Sequence, residues 1–314
     1  MARPGWREPM LATLTERRFS DPDWVFERKL DGVRALCVRD GGEVRLWSRA
    51  RKPMDGAYPE IADALAERGG ERFVVDGEIV AFDGHRTSFA ALQPRMHLAD
   101  PARARRSGVK VYFYAFDLLH FGGIDADGLP LRQRKRLLRD AFDFGDPLRY
   151  AAHRNGDGER FYAEACAKGW EGVIAKRADA PYTPGRTADW LKFKCVREQE
   201  FVVGGFTDPQ GTRSGFGALL LGYHDNGALR YAGKVGTGFD EETLRALLDR
   251  LTPLEQRASP FDGVVRERGS HWVRPELVIQ AGFAEWTPEG KLRHARFAGI
   301  RDDKAAADVV REGR

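Results

Sequence analysis

Residues 26–36, FERKLDGVRAL, are the most informative stretch of the sequence. A lysine, an acid, a glycine and an arginine fall within six positions, from Lys29 to Arg34, directly after an apolar run at residues 24–26. A lysine becomes a covalent nucleophile when desolvation or nearby cations hold its amine neutral. An arginine offers a planar fork for a phosphate or a ribose hydroxyl, and Gly32 permits a sharp backbone reversal between the two. The hexapeptide alone also fits a solvated strand end, so its interpretation depends on the segments that follow.

Length and composition describe a folded, soluble chain. Its 314 residues exceed what one compact domain usually needs, so we expect two domains. Hydrophobic residues make up 42% and charged residues 31%, which is typical of a globular protein. No apolar run has the length of a membrane span and no secretory segment follows the start, so we expect a cytoplasmic location and no membrane partner. The net charge of +4 is compatible with a polyanionic partner but does not establish one.

The three cysteines give no sign of a cross-linked or zinc-binding framework. Cys37, Cys166 and Cys195 are far apart in the sequence and form no C-x-x-C pair. We therefore expect neither disulfides nor a zinc ribbon, and we interpret each cysteine as a small buried apolar residue.

The pattern of elements predicts an α+β protein with two parts. Up to Lys194, short strands mix with a few helices, predicted over 58–68, 131–142 and 158–168, without the regular alternation of a doubly wound fold. We expect mixed or antiparallel sheets there. Closely spaced strands follow, with a hairpin signal at residues 225–227 and one helix over 240–251. This suits a small β-barrel of the oligonucleotide-binding type, and we place the domains at 1–196 and 197–314.

Further segments match, in the same order, the motifs of one enzyme family. They are LWSRARKPM, FVVDGEIVAFD, YFYAFDLLH, EGVIAKR, ADWLKFK and FAGIRDDK. With KLDGVR, they resemble the ATP-dependent DNA ligases, and most closely the ligase module of the bacterial end-joining enzymes of the ligase D and ligase C type. The resemblance implies a nucleotidyltransferase (adenylation) domain followed by an OB-fold. It also implies ATP and Mg²⁺ or Mn²⁺ as cofactors and nicked or broken duplex DNA as the substrate.

The same resemblance implies the catalytic residues. Lys29 attacks the α-phosphorus of ATP to form a lysyl-AMP, which passes AMP to the 5′-phosphate of DNA before the 3′-hydroxyl displaces it. Lys192 and Lys194 share one face of a predicted strand, where they would bind the α-phosphate and depress the proton affinity of the Lys29 amine. In the family, the terminal element that matches Arg301 and Lys304 closes over ATP and orients the pyrophosphate.

Several acids and one ring complete the predicted nucleotide site. Glu171 resembles the family's metal-linked glutamate, and Glu78 is assigned to the metal or to the ribose. Asp31 is either a metal-side carboxylate or a structural partner, and Asp76 is interpreted as a turn residue between two strand segments. Phe116 matches the aromatic residue that stacks on adenine, although a core strand residue would have the same pattern.

The remaining predictions concern the base and the DNA. Glu27 would accept a hydrogen bond from the adenine amine and favour ATP over GTP. Arg34 and Arg49 match positions that hold the ribose and the 5′-phosphate at the nick. Arg95 and Arg213 are candidate contacts to DNA phosphates, because a ligase must act at any sequence.

We therefore predict an ATP-dependent DNA ligase of DNA repair and end joining, a monomer in the bacterial cytoplasm or nucleoid. A Ku-like end-binding partner is implied by family association alone. The nearest rival is an RNA ligase or a capping guanylyltransferase, because these enzymes share the lysine motif. A DNA-end-binding module without activity fits less well, because the reactive lysines and glutamates are all present. The cysteine pattern disfavours an NAD-dependent ligase.

Overall fold

The computed structural model describes residues 3–195, 198–209 and 215–312. It divides the chain into two compact units, Met1–Cys195 and Val196–Arg314, which are described separately below. The predicted boundary lies one residue further along the chain. Within the described ranges, no helix is both long enough and apolar enough to cross a bilayer.

The first unit contains two main sheets and five helices among its described residues. Its strands are β1 (Met10–Leu14), β2 (Trp24–Lys29), β3 (Val33–Asp40), β4 (Arg45–Ser48), β5 (Arg72–Val80), β6 (Phe82–Asp83), β7 (Arg86–Thr87), β8 (Tyr112–Phe121), β9 (Ile124–Asp125), β10 (Leu148–Tyr150), β11 (His153–Asn155), β12 (Gly172–Arg177) and β13 (Gly185–Lys194). Its helices are α1 (Pro59–Arg68), α2 (Phe89–Met96), α3 (Pro101–Arg106), α4 (Leu131–Ala141) and α5 (Gly158–Ala167). Sequence reasoning found α1, α4 and α5 and missed the short helices α2 and α3.

The strand orders confirm mixed sheets. Sheet A runs β1-β13-β12-β2-β11, and sheet B runs β10-β8-β5-β3-β4, with β9 added to β8. Most pairs are antiparallel, while β1 with β13 and β10 with β8 are parallel. The two sheets pack face to face, because one buried cluster combines Met10 and Trp190 of sheet A with Leu36, Val74 and Phe116 of sheet B. The α+β class is therefore confirmed.

Strand β5 corrects the interpretation of Asp76 as a turn residue. The strand continues from Arg72 to Val80 with irregular pairing around Asp76 and Gly77. Asp76 is fully buried, and its charge is tolerated there because it accepts hydrogen bonds from Arg34 and from the Tyr182 hydroxyl. Gly77 leaves room for a neighbouring ring, since a Cβ at this position would lie 2.3 Å from Phe113.

The cysteine prediction is wrong for two of the three residues. Cys166, near the end of α5, forms a disulfide with Cys195, the residue after β13, across a Cα–Cα distance of 5.2 Å. Their separation of 29 residues hid this contact, which arises because β12 and β13 form a hairpin that returns to α5. Cys37 is a buried free thiol, as predicted.

The second unit is a β domain with one α-helix among its described residues. Its elements are β14 (Glu198–Thr207), β15 (Leu219–Asp225), β16 (Ala228–Val235), α6 (Glu241–Leu251), β17 (Glu255–Gln256), β18 (Ser270–Val273), β19 (Val278–Gly282), β20 (Glu285–Trp286), β21 (Leu292–Arg293) and β22 (Arg296–Ile300). The predicted hairpin joins β15 to β16, with Asn226 and Gly227 at positive φ, and Asp240 caps α6 through the Thr243 amide at 2.8 Å.

The pairing of this unit is consistent with the predicted OB-fold. Strand β14 lies centrally and pairs with β15, β18 and β19, and β19 pairs in turn with β22. Between residues 198 and 312, the described pairings do not close these strands into a complete barrel. The apolar face of α6, with Leu244, Leu247 and Leu251, packs into the same core as the strands.

Candidate active site

Sheet A brings the candidate lysines together on one face. Lys29 of β2 lies opposite Gly172 of β12, which in turn lies opposite Lys194 of β13. Two residues further along β12, Ile174 lies opposite both Glu27 of β2 and Lys192 of β13. Because residues two apart on a strand face the same side, these four side chains share a surface. The structure thus assembles from three strands a group that the sequence scatters over more than half of the chain.

Lys29 is held by Glu171. The two side chains form a short ion pair, and both are largely shielded, with exposures of 19% and 8%. The second oxygen of Glu171, Oε2, is buried and has no hydrogen-bond partner among the residues that the structure describes. Gly172 lets β12 approach β13 closely here, since a Cβ would lie 1.9 Å from the Phe193 carbonyl oxygen. Glu171 therefore lies beside the amine, and one of its two carboxylate oxygens contacts it.

Glu27 is the centre of a buried ionic network that the sequence did not reveal. Its carboxylate forms ion pairs with Lys135 of α4 and with Lys176 of β12. Burial acts to raise the pKa of Glu27, but the two ammonium groups outweigh it, so the pKa is lowered and the carboxylate stays ionised. Burial lowers the pKa of Lys176 to about 8, against the opposing attraction of Glu27. Lys176 belongs to the EGVIAKR motif. Its position in an otherwise apolar strand was the signal in the sequence that could have indicated a buried lysine with an acidic partner.

On sheet B, Arg34 is oriented by a buried acid. Its guanidinium pairs with both oxygens of Asp76, donates to the Met10 carbonyl at 3.2 Å and lies 4.5 Å from the centre of the Phe116 ring. In the strand register Arg34 stands opposite Glu78, which is half-buried. Arg34 and Glu78 thus share one surface of this sheet.

Phe116 lies within the apolar cluster between the two sheets. It is 8% exposed, and its ring lies 6.0 Å from that of Trp190 in an edge-on arrangement. The Lys176 ammonium lies 4.3 Å from the centre of the same ring. Phe116 therefore belongs to the core, and stacking on adenine stays a prediction for it.

Arg49 lies in the turn after β4, and Asp31 lies in the connection between β2 and β3. Arg49 follows β4 in a tight loop, in which the Lys52 amide donates to Ser48 Oγ at 3.0 Å, and it is half-buried. Asp31 Oδ2 accepts the amide of Phe89 at 2.9 Å, at the start of α2. Of the two readings of Asp31, this contact favours a structural partner.

The structure corrects the prediction that Arg95 contacts DNA phosphates. Its guanidinium is 1% exposed and donates to the carbonyl oxygens of Ala57 and Val109 and to Glu60. A side chain whose donors are occupied inside the protein cannot reach a phosphate without breaking those bonds. Arg213 lies outside the described residues.

In the second unit, the Arg301-Asp302-Asp303-Lys304 segment is tied to its own domain. Arg301 is buried and pairs with both oxygens of Asp303, at 2.9 and 2.8 Å, and with Gln280 at 2.8 Å. Asp302 pairs with Arg250 of α6, and Lys304 lies 3.4 Å from Glu200. An action of Arg301 and Lys304 at the nucleotide stays a prediction.

The first unit has two facing mixed sheets that carry a shielded lysine–glutamate pair and further lysines, and a small β domain follows it in the chain. These features define a nucleotidyltransferase class of protein. Family models agree. A model described as ATP dependent DNA ligase domain matches residues 9–194, and one described as ATP dependent DNA ligase C terminal region matches residues 212–304. The chain belongs to the ATP-dependent DNA ligase family.

Relatives and a solved structure support this membership. The chain is 39% identical to the multifunctional non-homologous end joining protein LigD of Pseudomonas aeruginosa, over 98% of this chain but 37% of that protein. It is 35% identical to DNA ligase C of Mycobacterium tuberculosis, over 90% of this chain and 82% of that protein. The structure of mycobacterial DNA ligase D complexed with ATP and MES superimposes with a TM-score of 0.66 at 37% identity, covering 97% of this chain and 98% of that chain. The chain spans less than half of the LigD relative.

Proposed function

We propose that this chain is an ATP-dependent DNA ligase that seals a 5′-phosphate to a 3′-hydroxyl in duplex DNA. The observation that carries the proposal is the Lys29–Glu171 pair, on a sheet face shared with Lys192 and Lys194. A shielded amine on a face with further cations suits nucleophilic attack on a polyphosphate, because the cations neutralise the phosphate charge. Relatives named DNA ligase D and DNA ligase C support the choice of DNA as substrate.

The reaction follows in three transfers. Lys29 Nζ loses a proton and attacks the α-phosphorus of ATP, so a P–N bond forms while the bond to pyrophosphate breaks. An oxygen of the DNA 5′-phosphate then displaces the lysine and takes the adenylate. Finally the 3′-hydroxyl, after losing its proton, attacks the 5′-phosphorus and AMP leaves. Lys192 and Lys194 neutralise charge at the α-phosphate, and Glu171 contacts the ammonium that must lose its proton.

The site fits a divalent cation held by few protein ligands. The buried Oε2 of Glu171, which no described residue hydrogen-bonds, is a hard anionic ligand, and Glu78 is a second carboxylate. Among the described residues, no cluster of three or more metal-ligating side chains occurs. Carboxylate oxygens are the ligands that Mg²⁺ and Mn²⁺ prefer, and such an ion would bind phosphate oxygens and supply charge neutralisation.

Adduct formation tests the proposal. Protein incubated with ATP and magnesium should carry adenylate on Lys29, which mass spectrometry of peptides would locate. Lys29→Ala should abolish the adduct, whereas the matched control Lys110→Ala, at an exposed lysine, should retain it. Lys29→Ala should still seal part of a nick that is already adenylylated, because only the first two transfers use the amine. An adduct on another side chain would refute the mechanism.

The biological setting is proposed on the same relatives. A role in repair and end joining is supported by the similarity to a relative named as a non-homologous end joining protein. A bacterial cytoplasmic location, a monomeric state and a Ku-like partner are parts of the proposal that rest on family association. Chasing the labelled protein with nicked DNA or nicked RNA separates a DNA ligase from the rival RNA ligase. Sealing of RNA in preference to DNA would favour the rival.

A further inference from the structure

A buried lysine of helix α4 links two groups of the proposed base site. Lys135 is 2% exposed at its side chain. Its Nζ forms an ion pair with Glu27 Oε1 and donates to the carbonyl oxygens of Ala151 at 2.9 Å and Phe116 at 3.5 Å. An ammonium group has three donors, and here each has a protein acceptor. Lys135 therefore acts on its neighbours and leaves no donor for a ligand.

We propose that Lys135 is a positioning residue that sets base selectivity. Lys135 holds the Glu27 carboxylate in a place where this carboxylate accepts a hydrogen bond from an amino group at the purine 6-position and repels an oxygen there. The inference rests on the proposed function, since it concerns the same nucleotide site. It adds to that function a determinant that does not touch the nucleotide.

The geometry of Glu27 explains the selectivity. Lys135 engages Oε1, and Lys176 engages Oε2 at 2.7 Å. Each carboxylate oxygen has two lone pairs, so each can still accept one further hydrogen bond. An ionised carboxylate only accepts: the 6-amino group of ATP satisfies it, whereas the 6-oxo group of ITP places a second acceptor against a buried negative charge.

Lys135 has a distinct part in this network. Other charged or titratable groups near Glu27 are Lys176 of β12, His153 directly opposite on β11 and Tyr150 of β10, and Lys29 and Lys192 lie on the same sheet face. Burial lowers the pKa of His153, so its imidazole is neutral and does not replace the Lys135 ammonium as a cation beside Glu27. Without Lys135, Glu27 would keep Lys176 on the side of Oε2 and lose the ammonium at Oε1, so its carboxylate plane would no longer be fixed from both sides.

The test is the ratio of kcat/KM for lysyl-nucleotide formation with ATP to that with ITP. Lys135→Met should lower this ratio by about 10- to 100-fold, the equivalent of one hydrogen bond to a charged group, through a higher KM for ATP with little change in kcat. Lys135→Arg, which keeps the cation, should restore most of the ratio. Arg136→Met, at an exposed position of the same helix, is the control and should leave the ratio unchanged. A lysine needed only for folding would lower the rates with both nucleotides equally.

A double-mutant comparison tests whether Lys135 acts on base selectivity through Glu27, and it also controls for misfolding. In Glu27→Gln the carboxylate is gone, so adding Lys135→Met should not change the ratio further, and the double variant does not leave the Lys135 ammonium buried without its carboxylate partner. A wild-type ratio in Lys135→Met, or a further change in the Glu27→Gln background, would overturn the inference. If the wild-type protein formed no lysyl-AMP at all, the proposed function would fail first.

Discussion

The disulfide between Cys166 and Cys195 should contribute strongly to the stability of the first unit. The two residues are separated by 29 positions. The chain-entropy relation for a loop of this length gives about 12 cal/mol/K, or about 3.6 kcal/mol at 25 °C, as the contribution lost when the bond is absent. A typical domain is stable by only ~5–15 kcal/mol, so the loss should be large enough to measure directly.

Urea denaturation of the double variant Cys166→Ser/Cys195→Ser measures this loss. With a slope of about 2 kcal/mol/M, the midpoint of the first unit should fall by about 2 M relative to the oxidised wild type. Dithiothreitol is the matched control: it should lower the midpoint of the wild type towards that of the variant, and leave the variant unchanged.

Thiol titration provides an independent check. The chain has three cysteines, so the denatured, unreduced wild type should show one reactive thiol, from Cys37. Three reactive thiols, or equal urea midpoints for the oxidised wild type and the double variant, would refute the pairing and the reasoning from loop length.

Three further predictions concern packing and charge. Gly172→Ala would put a methyl group 1.9 Å from the Phe193 carbonyl oxygen, so we expect a destabilisation of more than ~3 kcal/mol by urea denaturation, whereas Gly42→Ala, with nothing within 4 Å, should be nearly neutral. The pKa of Lys176 is lowered to about 8, so between about pH 8 and 10.5 the unfolded chain holds this proton while the folded chain has lost it. The free energy of unfolding therefore rises with pH in this window, and it should rise less in Lys176→Met. Arg95→Gln should destabilise the protein, since Arg95 is buried, yet leave the salt dependence of DNA binding unchanged; a shallower salt slope would restore Arg95 as a phosphate contact.

Local pattern determined the elements whose signals lie close together in the chain. The helices predicted over 58–68 and 240–251 occur as α1 and α6, because apolar spacing and end residues act within one or two turns. The alternation of Lys192 and Lys194 likewise predicted a shared strand face, and the pairing through β12 puts this face on the same side of sheet A as Lys29. The order of the motifs was enough to identify the family, since each motif is a contiguous string of residues.

Tertiary structure alone decided which charged residues are buried and with which partner. Arg95, predicted at the DNA, is inside the protein, and Asp76, read as a turn residue, is a buried acid of a continuous strand. In the basic helix α4, the sequence does not distinguish Lys135 from the exposed Arg136, although Lys135 pairs with Glu27 across 108 residues. A buried charge is tolerated only where it forms an ion pair with an opposite charge. Such ion pairs, like the contact of Cys166 with Cys195, form only after distant strands have paired.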